Sequence, residues 1–279
     1  MDDRLRTRVA AAMLALGLAV LDLIMLLTVV HAVGTDGALY YREQMKADIL
    51  PASGLSDEDL RALDGMLAEY LGGDDRALLE PVGRLRFETT GGSIEVQAPL
   101  MSMEVFGALQ PVFSERELTH LQDCFNLFRL LRKVRRRLVP WAILLILGGA
   151  RLLADRRRVR WCAGLSLLAV LLLLGALTAY AAADFDRAFT LFHRILFRND
   201  LWQLNPATSL LIRICPESMF MAMGIRIAVY SLIAMIAAAA AAMALTCLWP
   251  GGKEDNTWKT TTRRESAPKR YDFGNRGTR

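Results

Sequence analysis

The sequence predicts a mainly α-helical membrane protein, with four transmembrane helices and a small extracellular α+β cap between the first and second spans. Hydrophobic residues make up 53% of the 279-residue chain, and its mean hydropathy is +0.27. This apolar share exceeds the roughly 45–50% of soluble domains. The apolar residues are concentrated in four blocks, each near the roughly 20 residues that a helix needs to cross a bilayer. A soluble globular enzyme is therefore excluded.

The four blocks divide the chain into nine segments. These are a cytoplasmic N-terminus (1–8), the first span (9–33), the cap and helical stalk (34–137), the second span (138–154), a cytoplasmic loop (155–160), the third span (161–183), an outer loop (184–224), the fourth span (225–249) and a basic, disordered cytoplasmic tail (250–279). The first block exceeds the 7–15 apolar residues of a signal peptide, so we interpret it as an uncleaved anchor.

The distribution of charge predicts the orientation. Segment 34–128 holds seven basic and seventeen acidic residues, whereas the N-terminus, the loop 155–160 and the tail are rich in Arg and Lys. Positive residues favour the cytoplasmic side, so both termini are expected inside and the acidic segment outside. The run RLLRKVRRR at 129–137 places six basic residues on the outer side. Its two interpretations, a solvated stalk and a contact for anionic lipid head groups, both stay open.

Local patterns predict the cap. Ser56 and Asp59 have a spacing like that of a capping box, ahead of a leucine stripe, and predict a helix. The alternating sequence around Gly91-Gly92 predicts a β-hairpin. Ser114 and Glu117 repeat the capping pattern and start a helix that can continue into the second span.

Motifs for several chemistries are missing from the sequence. It contains no Gly-rich phosphate loop, HExxH pair, CxxC or GxSxG elbow. We therefore predict no metal, no cofactor and no nucleic-acid partner, despite the net charge of +5.

The three histidines are all predicted near the outer membrane interface. His120 has Glu117 and Asp123 three residues away on either side, and this helical spacing places both carboxylates near its imidazole. A carboxylate there can orient the ring and favour its protonated form. His193 follows the third span among aromatic residues. His31 has no polar partner nearby in sequence, and packing or a head-group contact is the alternative for each histidine.

Two further features leave alternatives open. Asp22 lies near the middle of the first span, where a charge is costly, and the sequence names no partner for it. Cys124 and Cys215 are both predicted outside. They can form a disulfide or remain buried free thiols.

Two motifs carry a resemblance to a known family. The first is EL-x-H-L-x-D at 117–123, and the second, more specific one is FH-x-x-x-F-x-N-x-x-W-x-L-x-P at 192–206. With four spans and an outer cap, over most of residues 9–248, the chain resembles the bacterial integral membrane family that includes the lipoprotein intramolecular transacylases. Cys124 departs from the family pattern, which has a β-branched residue at that place.

The resemblance implies a cofactor-independent O-to-N acyltransferase of the bacterial cytoplasmic membrane, with its site at the outer face. Such an enzyme moves an acyl chain from the sn-2 position of the S-diacylglyceryl group to the free amine of a lipoprotein's N-terminal Cys, giving the lyso form. Its partners are the diacylated lipoprotein and membrane lipid, and no oligomeric state follows. The alternative is a non-catalytic membrane protein of the same fold that binds a partner or lipid through its cap.

The family's two implicated histidines match His120 and His193. We expect His193 to be the general base toward the amine. His120, held by Asp123 or Glu117, would protonate the leaving oxygen or stabilise the oxyanion, and the reverse assignment is also open. The other predicted site residues are Asn199, as an oxyanion donor or a helix-end cap, and Phe189, Phe192, Phe197 and Trp202, as the lining of a dry pocket.

Overall fold

The fold is mainly helical. The computed structural model describes residues 2–74, 81–89, 92–99, 103–105, 108–110, 113–153 and 156–248. The predicted tail 250–279 lies outside this part. The helices are α1 (Asp3–Val33), α2 (Gly37–Lys46), α3 (Leu50–Ser53), α4 (Asp57–Gly72), α5 (Glu115–Leu153), α6 (Arg156–Ala183), α7 (Phe185–Leu196), α8 (Leu210–Ile214) and α9 (Glu217–Leu248). The strands are β1 (Pro81–Thr89), β2 (Gly92–Pro99), β3 (Met103–Val105) and β4 (Ala108–Gln110).

Three helices of the described part are long and apolar enough to cross a membrane. They contain the candidate spans Asp3–Val33, Arg157–Ala183 and Glu217–Ala244. The apolar stretch predicted as the second span is the C-terminal part of α5. This helix starts in the cap at Glu115 and continues without a break past Pro140 to Leu153. The prediction that the helix starting near Glu117 can run on into the second apolar stretch is therefore confirmed.

Helices α1 and α5 pack antiparallel at very short range because glycines face the partner backbone. A Cβ built on Gly149 would lie 2.6 Å from the backbone nitrogen of Leu14, and one on Gly17 would lie 2.9 Å from that of Ile146. Because glycine has no side chain, the backbones of the two helices can come into direct contact at these positions. The N-terminal end of α5 is thereby held in a fixed register with α1.

The core of the cap lies between α4, the start of α5 and α8. Leu60 and Leu63 on α4 are fully buried with Phe113 and Ile214. The predicted start of α4 is confirmed, since the Ser56 hydroxyl accepts the Asp59 N–H at 3.2 Å.

Strands β1 and β2 pair antiparallel, from Pro81 opposite Pro99 to Thr89 opposite Gly92. This pairing crosses the predicted turn at Gly91, which itself lies outside the described residues. Strands β3 and β4 form a second antiparallel pair.

The structure shows a partner for Asp22 and the state of Cys124 and Cys215, which the sequence left open. The Ser166 hydroxyl of α6 donates a hydrogen bond to the Asp22 carboxylate of α1, which gives this costly residue a partner inside the bundle. Cys124 and Cys215 are both free thiols, so the disulfide alternative is not realised.

Candidate active site

His120 and His193 reach the same place from two different helices. His120 lies in the second turn of α5, and His193 lies on α7, which follows α6 after the single residue Asp184. The Asp184 carboxylate accepts the Arg187 N–H at 3.0 Å and so caps the start of α7. Because only one residue separates the two helices, the place of His193 depends on where α6 ends.

The two imidazoles form a buried pair. Their ring centroids are 6.0 Å apart, and only 8% of His120 and 7% of His193 is exposed. Phe197 contacts both rings, at 5.1 Å from His120 and 5.6 Å from His193. The expectation that the two histidines meet is therefore confirmed.

Aromatic rings enclose His193. Trp202 stacks on its imidazole at 4.8 Å, and Phe189 lies 4.0 Å away, one helical turn earlier. Phe192 touches the same ring edge-on at 5.2 Å but is 54% exposed, so it borders the site without closing it. Phe220 of α9 contacts Phe189 at 5.5 Å. Sequence reasoning missed this last contact because Phe220 is distant along the chain.

The backbone fixes the tautomer of His193. Its Nδ1 lies 2.8 Å from the carbonyl oxygen of Phe189. A carbonyl can only accept, so the proton of the neutral ring is on Nδ1 and the lone pair is on Nε2.

Cys124 contacts the ring of His120 from one helical turn later. Its sulfur lies 3.7 Å from Nε2 of His120, and burial raises the pKa of the thiol, which therefore keeps its proton. A thiol can donate to Nε2 or accept from it, so this contact fits both neutral tautomers of His120. Within the described part of the chain, the buried Nδ1 of His120 has no hydrogen-bond partner. The i, i+4 spacing of His120 and Cys124 was a usable signal in the sequence.

Both histidines favour the neutral form. Burial lowers the pKa of His193, although its bond to the Phe189 carbonyl opposes the shift. Burial and the neighbouring His193 lower the pKa of His120, with Asp123 opposing. A charged imidazole loses hydration in such a site, and two charged imidazoles repel each other.

Glu117 corrects one expectation, because its hydrogen bonds lead away from His120. Its carboxylate accepts the Ser114 N–H at 2.7 Å, which completes the predicted capping pattern. It also accepts the Ser209 hydroxyl at 2.6 Å and the Leu211 N–H at 2.8 Å. Glu117 thus joins the start of α5 to the start of α8. The physical reason is that α8 offers unpaired N–H groups, which a buried carboxylate satisfies better than a neutral ring.

Asp123 and Asn199 form a second link between α5 and the segment after α7. The Asn199 amide donates to Asp123 at 2.8 Å, and its carbonyl accepts the Leu201 N–H at 3.1 Å. The expected contact of Asp123 with His120 is therefore replaced by a bond to Asn199. Within the described residues, the other amide hydrogen of Asn199 has no hydrogen-bond partner.

Replacing Glu117 by alanine should destabilise the fold by about 1–3 kcal/mol, because it leaves two buried donors of Ser209 and Leu211 without an acceptor. Burial raises the pKa of Glu117, but its hydrogen bonds outweigh this and hold the pKa below the usual value. The stabilisation is therefore present above the unfolded-state pKa and is lost as pH falls through the lower folded-state pKa. Thermal unfolding in detergent at several pH values measures it.

The matched control is Glu115→Ala, an exposed glutamate on the same first turn. Equal stability losses for the two variants would contradict the assigned role of Glu117.

No three His, Cys, Asp or Glu side chains of the described residues come together as a metal site requires.

Comparison with known proteins identifies the family. The model of the family "Lipoprotein intramolecular transacylase Lit" matches residues 15–220. A structure of the membrane integral lipoprotein intramolecular transacylase Lit from Bacillus cereus has a TM-score of 0.57 at 19% identity, covering 95% of this chain and 98% of that one. Variants of it with one histidine changed to arginine or to alanine have TM-scores of 0.55 and 0.53, each at 20% identity. They cover 95% of this chain and 95% and 96% of theirs.

No curated protein matches the chain in sequence. At these identities the solved structures establish a shared membrane fold, while the family model covers most of the chain. The chain belongs to the lipoprotein intramolecular transacylase (Lit) family.

Proposed function

We propose that the chain moves an acyl chain within a diacylated lipoprotein, with His193 and His120 as its catalytic residues. The sn-2 ester of the S-diacylglyceryl group is broken, and an amide forms on the N-terminal Cys, giving the lyso form. The observation that carries the residue assignment is the buried imidazole pair, in which a backbone carbonyl holds His193 in one tautomer and each ring keeps one nitrogen for the substrate.

His193 acts as the general base. Its Nε2 lone pair accepts a proton as the α-amine attacks the ester carbonyl, and the resulting imidazolium delivers that proton to the leaving glyceryl oxygen. Such proton transfer is typically worth about 10²–10⁴-fold. The amide product is more stable than the ester, so the reaction requires no ATP, and no cofactor enters the proposal.

His120 acts as a neutral hydrogen-bond donor. Its lowered pKa keeps the ring neutral near pH 7, so it has no extra proton to transfer, whereas its Nδ1–H in the matching tautomer can stabilise the negative oxygen that develops at the carbonyl. The remaining amide hydrogen of Asn199 is a second candidate donor to this oxygen. Asp123, through Asn199, and Glu117, through α8, support the pair indirectly.

The proposed setting is the outer face of the bacterial cytoplasmic membrane. Residues 138–153 of α5 cross the membrane beside α1 as the second of four spans, the cap lies outside, and both termini lie in the cytoplasm. The charge distribution supports this orientation. An exposed apolar edge on α7 supports access from the lipid, since Phe192 is 54% and Ile195 72% exposed. Acyl chains of the substrate can lie along this edge and present the ester to His193.

A reporter lipoprotein expressed with this chain tests the proposal, in a host lacking its own N-acylating enzymes. Mass spectrometry of the N-terminal peptide should show one acyl chain on the amine and one on the glyceryl group. A reporter that stays diacylglyceryl with a free amine would contradict the function. Binding of the reporter without conversion would instead indicate a non-catalytic lipoprotein-binding protein.

The rate should rise with pH in two stages. The attacking α-amine has a pKa of about 7.7–8.0 and must be neutral, so log kcat/KM should increase with unit slope up to about pH 8 and then level off. His193 must also be neutral, so its protonation should increase the slope at low pH. Because its pKa lies below the usual histidine value of about 6.5, the slope should increase only below that pH. Initial rates of lyso-form production between about pH 4 and 9 measure this profile. A rate that is flat across this range would contradict it.

A further inference from the structure

Four cations form an exposed stripe on α5, between the cap and the apolar end of the helix. Arg129, Lys133, Arg136 and Arg137 follow the spacing i, i+4, i+7 and i+8, which places them on one face. All four are exposed, and none makes an ion pair within the described part of the chain. Arg132 is different, because it donates to the Leu71 carbonyl at 2.7 Å. We refer to the four exposed residues as the cationic stripe.

The register of α1 and α5 places the stripe beside an apolar helix segment. Phe128 lies against Gly34, and Ile146 lies against Gly17, so residues 129–137 run alongside residues 25–33 of α1. That segment reads MLLTVVHAV. The stripe covers about 12 Å at 1.5 Å per residue, and Trp141, which is 58% exposed, follows it directly. Exposed tryptophan at this place is typical of a membrane–water boundary.

We propose that the cationic stripe binds the phosphate groups of anionic phospholipids. Arginine matches phosphate with paired N–H donors, and clustered cations beside a membrane helix attract anionic lipids. The stripe lies alongside the apolar end of α1, and the exposed Trp141 follows it along α5. This position at a membrane boundary favours lipid over an acidic peptide in solution. This inference requires α1 and α5 to lie in the membrane, and it does not depend on the proposed catalytic residues.

Spin-labelled phosphatidylglycerol provides a direct test with the full chain in phosphatidylcholine nanodiscs. Electron paramagnetic resonance measures the lipid fraction immobilised by the protein, compared with spin-labelled phosphatidylcholine. The wild type should prefer phosphatidylglycerol, and Lys133→Gln with Arg136→Gln should reduce this preference by about tenfold. Lys133→Arg with Arg136→Lys keeps both charges and should retain most of the preference.

The control removes two charges elsewhere. Arg42→Gln with Arg61→Gln, on α2 and α4, should leave the preference for phosphatidylglycerol unchanged. An unchanged preference in the stripe variant, or equal losses in the stripe and control variants, would overturn the proposal. Release of the labelled lipid by an acidic peptide free in solution would also overturn it, in favour of a peptide surface. Because the readout is lipid binding, a failed transacylation assay leaves this test intact.

Discussion

His193→Ala should lower the rate of lyso-form production by about 10²–10⁴-fold. The substitution removes the Nε2 lone pair that accepts the amine proton, while the fold keeps its other contacts to α7. The ring also stacks on Trp202 at 4.8 Å, so its loss leaves an empty space beside Trp202. The measurement is the initial rate of N-acylation of a reporter lipoprotein by purified protein, with the N-terminal lipid pattern read by mass spectrometry.

The matched control is His31→Ala. His31 is the remaining histidine of the chain, and its ring lies near Phe128, at 6.2 Å between centroids, away from the His120–His193 pair. Its variant should keep its rate within about twofold. Full conversion by His193→Ala would show that another group is the base, and the site assignment would then be wrong even if the family reaction stands. A cooperative melting transition of the variant above the assay temperature separates lost chemistry from lost folding.

Gly149→Leu should prevent stable packing of α1 on α5. Even a Cβ at this position would lie 2.6 Å from the backbone nitrogen of Leu14 and 2.9 Å from its Cα. Backbone atoms cannot rotate away as a side chain can, so the helices must separate. Overpacking a core typically costs about 1–3 kcal/mol, and contact with backbone favours the upper end. Thermal unfolding and size-exclusion chromatography in detergent measure the loss.

Gly175→Leu on α6 is the control, because a Cβ there meets no atom within 4 Å. It introduces the same side chain into a candidate span and should leave the melting temperature nearly unchanged. Equal losses in both variants would indicate a general effect of a larger apolar residue, and the close contact of α1 and α5 would no longer explain the result.

The features that the sequence predicted well depend on neighbours along the chain. The start of α4 at Ser56, the helix that begins near Glu117 and the apolar blocks all follow from local patterns. The predicted topology places His31, His120 and His193 near one depth, and the resemblance to the family selects His120 and His193 from the three. Connectivity alone therefore predicts a shared depth, but not which histidines meet.

The features that the sequence could not predict depend on partners that only the fold selects. Glu117 is one of two carboxylates, with Asp123, that the sequence predicts to hold His120, but it bonds to Ser209 and Leu211, more than ninety residues later. Spacing on a helix shows which groups can meet, whereas a buried carboxylate takes the strongest donors within reach. Asp22 likewise accepts a hydrogen bond from Ser166 on another helix, and no local sequence pattern indicates that pair.

The single-residue junction at Asp184 makes the separation of the imidazoles sensitive to the thickness of the bilayer. His193 follows α6 through this junction, whereas His120 belongs to a helix locked against α1 by glycine contacts. A helix whose apolar length exceeds the local hydrocarbon thickness responds by tilting. Tilting of α6 would displace one ring relative to the other, so membranes of different lipid chain length are expected to change the distance between the two imidazoles without any change in sequence.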